Sequence, residues 1–326
     1  MAVDFHILMS RNRRNSWILI FCFILLVALL GLVIGYATGA HAAGPQEAPY
    51  FAAGLTGLAV ILAVCGTLAS YFGGASAILA MSQAKPLAKR DDPQLYNVVE
   101  EMALAAGVPV PRVYVIDDTA PNAFATGRNP QKGIIAITTG LRNKLTRDEL
   151  QGVIAHELAH IRNLDIRFAL LMATLVGVVV LLCDMFWRSM WWGRGGMMGR
   201  RSSRRSGGNK GGGAAVLIIM LIAVVLAIVA PILAKIIEMA FSRQREYLAD
   251  ASAVELTRNP DGLASALAKI SADPEVLEVA NRATAPLYIV HPIKHFEDRA
   301  SSVFDSHPPI KDRIRRIVAI KTGSET

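Results

Sequence analysis

Four long apolar runs constrain this chain more than any other feature. They cover residues 17–39, 51–81, 168–183 and 214–233. A helix needs roughly 20 apolar residues to cross the hydrocarbon core of a bilayer, a length that only the third run fails to reach. Because 53% of the 326 residues are hydrophobic and only 18% are charged, the composition also favours membrane spans over a large soluble core. We therefore predict a membrane protein with about four transmembrane helices.

Basic residues around the first two runs predict their orientation. Arginines cluster at 11–14 and basic residues follow the second run at 85–90, whereas the connection 41–50 contains no Lys or Arg. The excess of Lys and Arg on cytoplasmic loops then places the N-terminus and the chain after the second run in the cytoplasm. An Ala-His-Ala sequence at 40–42 is typical of a cleavage site. The first run is longer than the roughly 7–15 apolar residues of a signal peptide, however, so we predict an uncleaved anchor.

The net charge of +8 does not indicate a nucleic-acid partner. Many of the basic residues flank apolar runs, where they meet anionic lipid headgroups, and no nucleic-acid-binding motif accompanies them. The three cysteines, Cys22, Cys65 and Cys183, lie singly inside apolar runs. That placement is typical of small buried residues rather than of zinc knuckles or disulfides. Any metal ion must therefore be held by histidines and carboxylates.

The region between the second and third runs has the pattern of a soluble domain. Apolar residues at helical spacing predict a helix over 92–106, and residues 112–116 are typical of a short strand. Segments 121–127 and 133–139 are rich in β-forming residues and are joined by Gly, Asn and Pro, which predicts an antiparallel pair. Thr146 and Glu149 fit a capping box, so a helix should begin there and run to at least residue 161. The predicted fold is mainly α with a small β-sheet.

These patterns divide the chain into three parts. Residues 1–90 form an N-terminal transmembrane hairpin, and residues 91–165 and 234–326 together form a cytoplasmic domain. Residues 166–233 form a second hydrophobic hairpin with a Gly- and Arg-rich loop, 193–213, which should be loosely structured. If this hairpin crosses the bilayer, its basic loop lies outside, against the usual preference for basic loops in the cytoplasm. If it is re-entrant, anionic headgroups hold the loop on the cytoplasmic side.

The sequence His156-Glu157-Leu158-Ala159-His160 carries the strongest chemical signal. Residues four apart share one face of a helix, so both imidazoles can bind one zinc ion. Glu157 is then placed to act as the base that activates water for attack on a peptide carbonyl. The alternative is a core helix with two hydrogen-bonded histidines. We predict the metal site.

The third ligand must come from elsewhere, because a catalytic zinc ion usually has three protein ligands and one open position. Asp165 is a poor candidate, since we expect it on the same helix with poor reach. Glu246 and Asp250 are again four residues apart, so that Glu246 can complete the set while Asp250 hydrogen-bonds a ligand imidazole. Their spacing fits a solvated charged helix face equally well, because arginines occupy positions 243 and 245.

Four segments resemble the M48 family of membrane metallopeptidases. They are Asn122-Ala-Phe-Ala-Thr-Gly127, His156-Glu-Leu-Ala-His160, Ser242-Arg-Gln-Arg-Glu-Tyr-Leu-Ala-Asp250 and His307-Pro-Pro-Ile-Lys-Asp-Arg313. The resemblance implies a gluzincin-like domain and a zinc endopeptidase with one zinc ion per chain, held in a bacterial inner membrane with its site facing the cytoplasm. It implies misfolded or damaged membrane proteins and unfolded proteins as substrates, under stress. It also implies that Glu246 is the third ligand and that Asp250 supports the ligand set.

The same resemblance implies roles for two further regions. His307 and Arg313 would assist the transition state, where a positioned imidazole or guanidinium stabilises negative charge. By themselves, these two residues fit a helix start and a solvated arginine. An edge strand would pair with an extended substrate by β-augmentation; it comprises Asn122, Ala123, Phe124, Ala125 and Thr126.

Two other functions compete with this interpretation. A non-enzymatic membrane scaffold would hold a structural zinc ion in a closed four-ligand site or hold none. A prenyl-protein peptidase is the other, since eukaryotic relatives of this metal site cut prenylated peptides, although they carry more membrane spans. The expected partners are the lipid bilayer and protein substrates, and oligomerisation is compatible with this architecture.

Overall fold

The computed structural model describes residues 5–196, 212–279, 287–290 and 308–322. The elements in chain order are α1 (Phe5–Ala42), α2 (Ala48–Met81), β1 (Lys85–Pro86), α3 (Pro93–Ala106), β2 (Arg112–Ile116), β3 (Ala123–Thr126), β4 (Ile134–Thr138), α4 (Thr139–Lys144), α5 (Arg147–Arg162), α6 (Asp165–Gly196), α7 (Gly212–Thr257), α8 (Pro260–Ala272) and α9 (Ile310–Thr322). His307 lies outside the described residues. So does most of the loop 193–213, whose ends belong to α6 and α7.

The fold matches the predicted class of a mainly α protein with a small sheet. Within the described part of the chain, four helices contain segments long and apolar enough to cross a membrane. They are Ile20–Ala40, Ala48–Met81, Leu171–Arg188 and Leu217–Thr257. The prediction of about four transmembrane helices is thus confirmed, and the third run belongs to a helix that is much longer than the run itself.

The described residues form two compact units. The apolar unit comprises Arg14–Ala69 and Leu171–Ile237, and the sheet unit contains Ser70–Leu170 and the described residues beyond 237. In the apolar unit, α1 carries glycines at 31, 35 and 39 that face α2. A Cβ added at Gly35 would lie 2.7 Å from the Cα of Ala52, and one at Gly31 would lie 2.8 Å from the Cα of Thr56. Such small residues allow membrane helices to approach each other closely.

The sheet has the strand order β1-β2-β4-β3. β3 and β4 are antiparallel, with Ala123 opposite Ile137, which confirms the pairing predicted from segments 121–127 and 133–139. β2 and β4 are parallel, a long-range arrangement that the local sequence pattern does not reveal. β3 therefore lies at the edge of the sheet, as predicted for a strand that could accept another chain.

Helix α5 is the central element of the sheet unit. Its start is a capping box in which the Thr146 N–H donates to Glu149 Oε2 (2.8 Å) and the Glu149 N–H donates to Thr146 Oγ1 (3.4 Å). Residues 152–159 are all buried, in contact with α3, α8 and β3. Gly152 permits the close approach of α8, because a Cβ there would lie 2.8 Å from the Leu263 backbone nitrogen. Packing on all sides fixes the positions of the side chains that α5 carries.

Candidate metal centre

Two imidazoles of α5 face each other across one helical turn. His156 is fully buried, and the side chain of His160 is 13% exposed. Their Nε2 atoms are 3.2 Å apart and their rings are nearly perpendicular, at 89°. This is the arrangement expected of residues four apart on a helix. Both Nε2 atoms therefore point into one small volume.

Glu246 on α7 supplies a third donor to the same volume. Its Oε1 lies 3.4 Å from His160 Nε2 and its Oε2 lies 3.6 Å from His156 Nε2. The three ligand atoms all lie within 4.8 Å of one another. Two nitrogens bound at roughly 2.0–2.1 Å to one tetrahedral zinc ion would be about 3.3 Å apart. The observed spacing and the donor types thus fit a zinc ion.

A carboxylate contacts the Nδ1 atom of each imidazole. Asp250 Oδ1 lies 3.0 Å from His156 Nδ1, and Asp165 Oδ2 lies 3.1 Å from His160 Nδ1. When Nδ1–H donates to a carboxylate, the lone pair of the neutral ring is on Nε2, where a metal can bind it. The structure therefore brings Asp250 to the position expected for a residue that orients a ligand.

The expectation that Asp165 lies on the same helix as His160, out of reach of the site, is wrong. α5 ends at Arg162, Leu164 adopts a left-handed backbone conformation (φ 62°), and Asp165 begins α6. The chain therefore turns back, and the carboxylate returns to the side of His160. The sequence shows an Asp five residues after the second histidine, but it does not reveal that the helix ends between the two residues.

Electrostatics raise the pKa values of both histidines. Burial by itself lowers the pKa of His156, but the hydrogen bonds to the Asp250 and Glu246 carboxylates outweigh it. The same balance, with Asp165 and Glu246 as partners, holds the pKa of His160 well above its usual value. A metal ion must displace these protons, so its binding depends on pH.

Glu157 lies on the same helix and is 2% exposed. Burial raises the pKa of its carboxyl, and the Glu246 carboxylate raises it further, against the lowering by both imidazoles and by Arg313. A carboxyl group with a raised pKa both accepts and returns a proton more readily near neutral pH. These properties are those of a general base that later acts as an acid.

Arg313 on α9 is fully buried, so the alternative of a solvated arginine is wrong. Its guanidinium donates to both oxygens of Asp250 at 2.6 and 2.8 Å, and Nη1 lies 3.2 Å from Glu246 Oε2. Nη2 lies 3.4 Å from His156 Nε2, and Nη1 also donates to the Ile289 carbonyl at 2.8 Å. Arg313 thus holds a positive charge directly beside the candidate ligands.

Another segment of the chain already forms hydrogen bonds with part of the outer edge of β3. The Ile289 N–H donates to the Ala123 carbonyl at 2.9 Å, and the Asn122 side-chain amide donates to the Val290 carbonyl at 2.8 Å. Main-chain groups alternate in direction along a strand, so those of Ala125 point outward like those of Ala123. Among the described residues, no hydrogen bond reaches the outward groups of Ala125. All of β3 is buried in this structure.

Comparisons with known proteins place this geometry in a family. Residues 89–321 match the model described as Peptidase family M48. The chain belongs to peptidase family M48. The match covers the whole of the candidate metal centre, from the α5 histidines to Arg313. This M48 protein, with its apolar helices and its group of metal-binding side chains, is a membrane-embedded metallopeptidase.

Two curated relatives and one solved structure are similar to this chain over most of its length. The chain is 44% identical over 311 residues to a "Protease HtpX homolog" of Listeria monocytogenes serotype 4b (strain CLIP80459), covering 94% of this chain and 97% of the relative. A protein with the same description from Dictyoglomus thermophilum is 40% identical over 315 residues, covering 96% and 94%. The crystal structure of S. mikatae Ste24p shares the fold, with a TM-score of 0.51 at 20% identity over 97% of this chain and 67% of that one.

Proposed function

We propose that this M48 protein is a zinc-dependent endopeptidase that cleaves misfolded membrane proteins and unfolded proteins in stress-linked quality control at a bacterial inner membrane. The convergence of His156, His160 and Glu246, with Glu157 on the same helix, carries the proposal. The basic residues that flank the first two apolar runs support a site that faces the cytoplasm. Relatives described as proteases of the HtpX type support the same conclusion.

The ligand set proposed for the zinc ion is His156, His160 and Glu246, with Asp250 orienting the first histidine. Nitrogen and carboxylate donors at this spacing suit zinc. A zinc ion held there would polarise the substrate carbonyl and lower the pKa of a water molecule, so that water could act as the nucleophile near neutral pH. Among the described residues there is one such group, and it contains three side chains. A set of three is typical of a catalytic site, whereas a structural zinc site would need a closed set of four.

Four regions of the chain perform the remaining chemistry in this proposal. Glu157 takes a proton on its carboxylate during the attack and returns it to the leaving amine. Arg313 keeps a positive charge beside the site and favours the negative charge that develops on the carbonyl oxygen. The resemblance assigns His307 a similar part, which stays a prediction. β3 binds an extended substrate, with pairing at Ala125 because the Ala123 carbonyl is already occupied.

The chain around the ligands supports membrane proteins as substrates. Leu171, the first residue of a candidate span, follows His160 by eleven positions along the chain. Glu246 lies on α7, a helix that runs without interruption from the apolar segment to Thr257. Both ligand-bearing segments therefore continue directly into apolar helices. No feature of the described residues favours prenylated peptides as substrates. A prenylated peptide is therefore included in the experiment below to test the alternative function.

Proteolysis by the full chain purified in detergent tests this proposal. The substrates are a model membrane protein, unfolded casein and a prenylated peptide, each with chelator and after zinc is added back. We expect cleavage of both proteins, its loss with chelator and its return with zinc. Zinc binding without any cleavage would instead favour the scaffold. Cleavage of the prenylated peptide alone would favour the prenyl-protein peptidase.

A further inference from the structure

A buried ion pair joins the start of α6 to the C-terminal third of α7. Arg245 Nε lies 3.5 Å from Asp165 Oδ1, and both side chains are 6% exposed. The arginine Nη1 also lies 3.5 Å from the Asp165 main-chain carbonyl oxygen. Ion pairs inside a protein are costly to break, because the partner left behind is a buried, uncompensated charge.

Phe168 holds Arg245 against this turn of α6. The guanidinium carbon lies 3.3 Å from the centre of the Phe168 ring. A planar guanidinium stacks on an aromatic face and still donates hydrogen bonds at its edge, which an ammonium group cannot do equally well. The geometry therefore depends on arginine itself rather than on positive charge alone.

The two histidines of the candidate centre are supported in the same way. His156 contacts Asp250, which contacts Arg313; His160 contacts Asp165, which contacts Arg245. In each case a buried guanidinium holds a carboxylate, and the carboxylate faces an imidazole Nδ1. Arg313 also contacts Glu246 and His156 directly, whereas Arg245 has a described contact with His160 only through Asp165.

We infer that Asp165 and Arg245 are positioning residues for the metal site, an inference that rests on the proposed function. Asp165 directs His160 Nε2 toward the metal by accepting from Nδ1–H. Arg245 holds Asp165 in place. Since Arg245 immediately precedes Glu246, the same ion pair fixes the turn of α7 that carries the third ligand. The pair thus joins ligands that are 86 positions apart in sequence, at residues 160 and 246.

Zinc affinity of the full chain in detergent tests the inference. The protein is stripped with chelator, and zinc binding is measured by competition with a chromogenic chelator, alongside the visible absorption of the cobalt-loaded protein. Removal of an orienting carboxylate typically weakens metal binding about 10–100-fold. We expect that loss for Asp165→Asn and a smaller loss for Arg245→Met. The fold loss of zinc affinity in the double variant should be smaller than the product of the two single losses, because Arg245 acts through Asp165.

Two controls separate positioning from folding. The exposed pair Lys321–Asp261 (2.7 Å; side chains 53% and 64% exposed) lies in the same unit, so Asp261→Asn should leave zinc affinity unchanged. Thermal unfolding of the metal-free protein reports stability alone. Asp165→Asn removes the carboxylate beside the buried Arg245 and should lower this stability. The double variant, which removes both charges, should recover stability without recovering zinc affinity.

The outcomes distinguish this inference from the proposed function. If the wild-type protein binds zinc and cleaves substrate, and Asp165→Asn binds zinc within threefold of the wild type, the inference alone is overturned. A double variant that recovers zinc affinity along with stability also overturns it, because the pair would then act only on folding. Wild-type protein that binds no zinc overturns both.

Discussion

Loss of the Asp250 carboxylate should lower both the stability of the protein and its affinity for zinc. It accepts two hydrogen bonds from the fully buried Arg313, at 2.6 and 2.8 Å, and lies 3.0 Å from His156 Nδ1. Asp250→Ala leaves that guanidinium with the single carboxylate of Glu246. Removal of one partner of a buried ion pair costs about 3–5 kcal/mol. For a folding unit of about 150–250 residues, such as the sheet unit, each kcal/mol lowers Tm by about 2–4 °C, so we expect a fall of roughly 6–20 °C.

The assay is thermal unfolding of the metal-free full chain in detergent, followed by zinc competition. Asp250→Ala should also weaken zinc binding about 10–100-fold, because His156 loses the group that fixes its tautomer. The double variant Asp250→Leu, Arg313→Met removes both charges and should recover much of the Tm but none of the zinc affinity. Asp312→Ala breaks an exposed contact with Arg315 and is the control, with an expected change within about 0.5 kcal/mol. An unchanged Tm in Asp250→Ala would refute this reasoning.

Three further predictions concern substrate binding, pH and topology. Ala125→Pro removes one outward N–H of β3 and keeps the bonds to β4, so KM for protein substrates should rise with zinc content unchanged. Ala125→Gly keeps the N–H and is the control. An unaltered KM in Ala125→Pro would contradict pairing at this residue. Burial alone would raise the pKa of Glu149, but hydrogen bonds from Lys269, Ser265 and Thr146 lower it from 4.5 to about 2. Its stabilisation of about 3 kcal/mol is therefore present above pH 4.5 and lost as pH falls toward 2. In Glu149→Gln, the free energy of unfolding should depend less on pH in that window. We expect the second hairpin to cross the bilayer, so Ser203→Cys, with the native cysteines replaced, should react with an impermeant maleimide in intact cells. Reaction only in opened cells would contradict crossing and indicate a re-entrant hairpin.

Local sequence patterns predicted the elements well where the cause is local. The capping box at Thr146, the strand 112–116 and the spacing of His156 and His160 each depend on residues within a few positions. The apolar runs predicted the candidate spans because a bilayer permits few other arrangements of such long apolar segments. The spacing of four between the glycines of α1 is a further local signal, because it is typical of helices that pack closely in a membrane.

Long-range contacts account for what the sequence did not predict. The return of Asp165 to His160 depends on the left-handed Leu164, a residue type that rarely adopts this conformation. The burial of Arg313 depends on Asp250 and Glu246, which are more than 60 positions away. Sequence spacing alone could not choose between a solvated charged face and a ligand for Glu246. The structure shows its carboxylate beside both histidines.

The most direct test of the central claim is the zinc content and the activity of Glu157→Gln. Glutamine keeps the size of the side chain but cannot accept the proton, and Glu157 is proposed as a base rather than a ligand. We expect one zinc ion per chain, as proposed for the wild type, with cleavage reduced about 100–10,000-fold. A purified variant that contains the same zinc and cleaves a membrane-protein substrate at the wild-type rate would contradict the account.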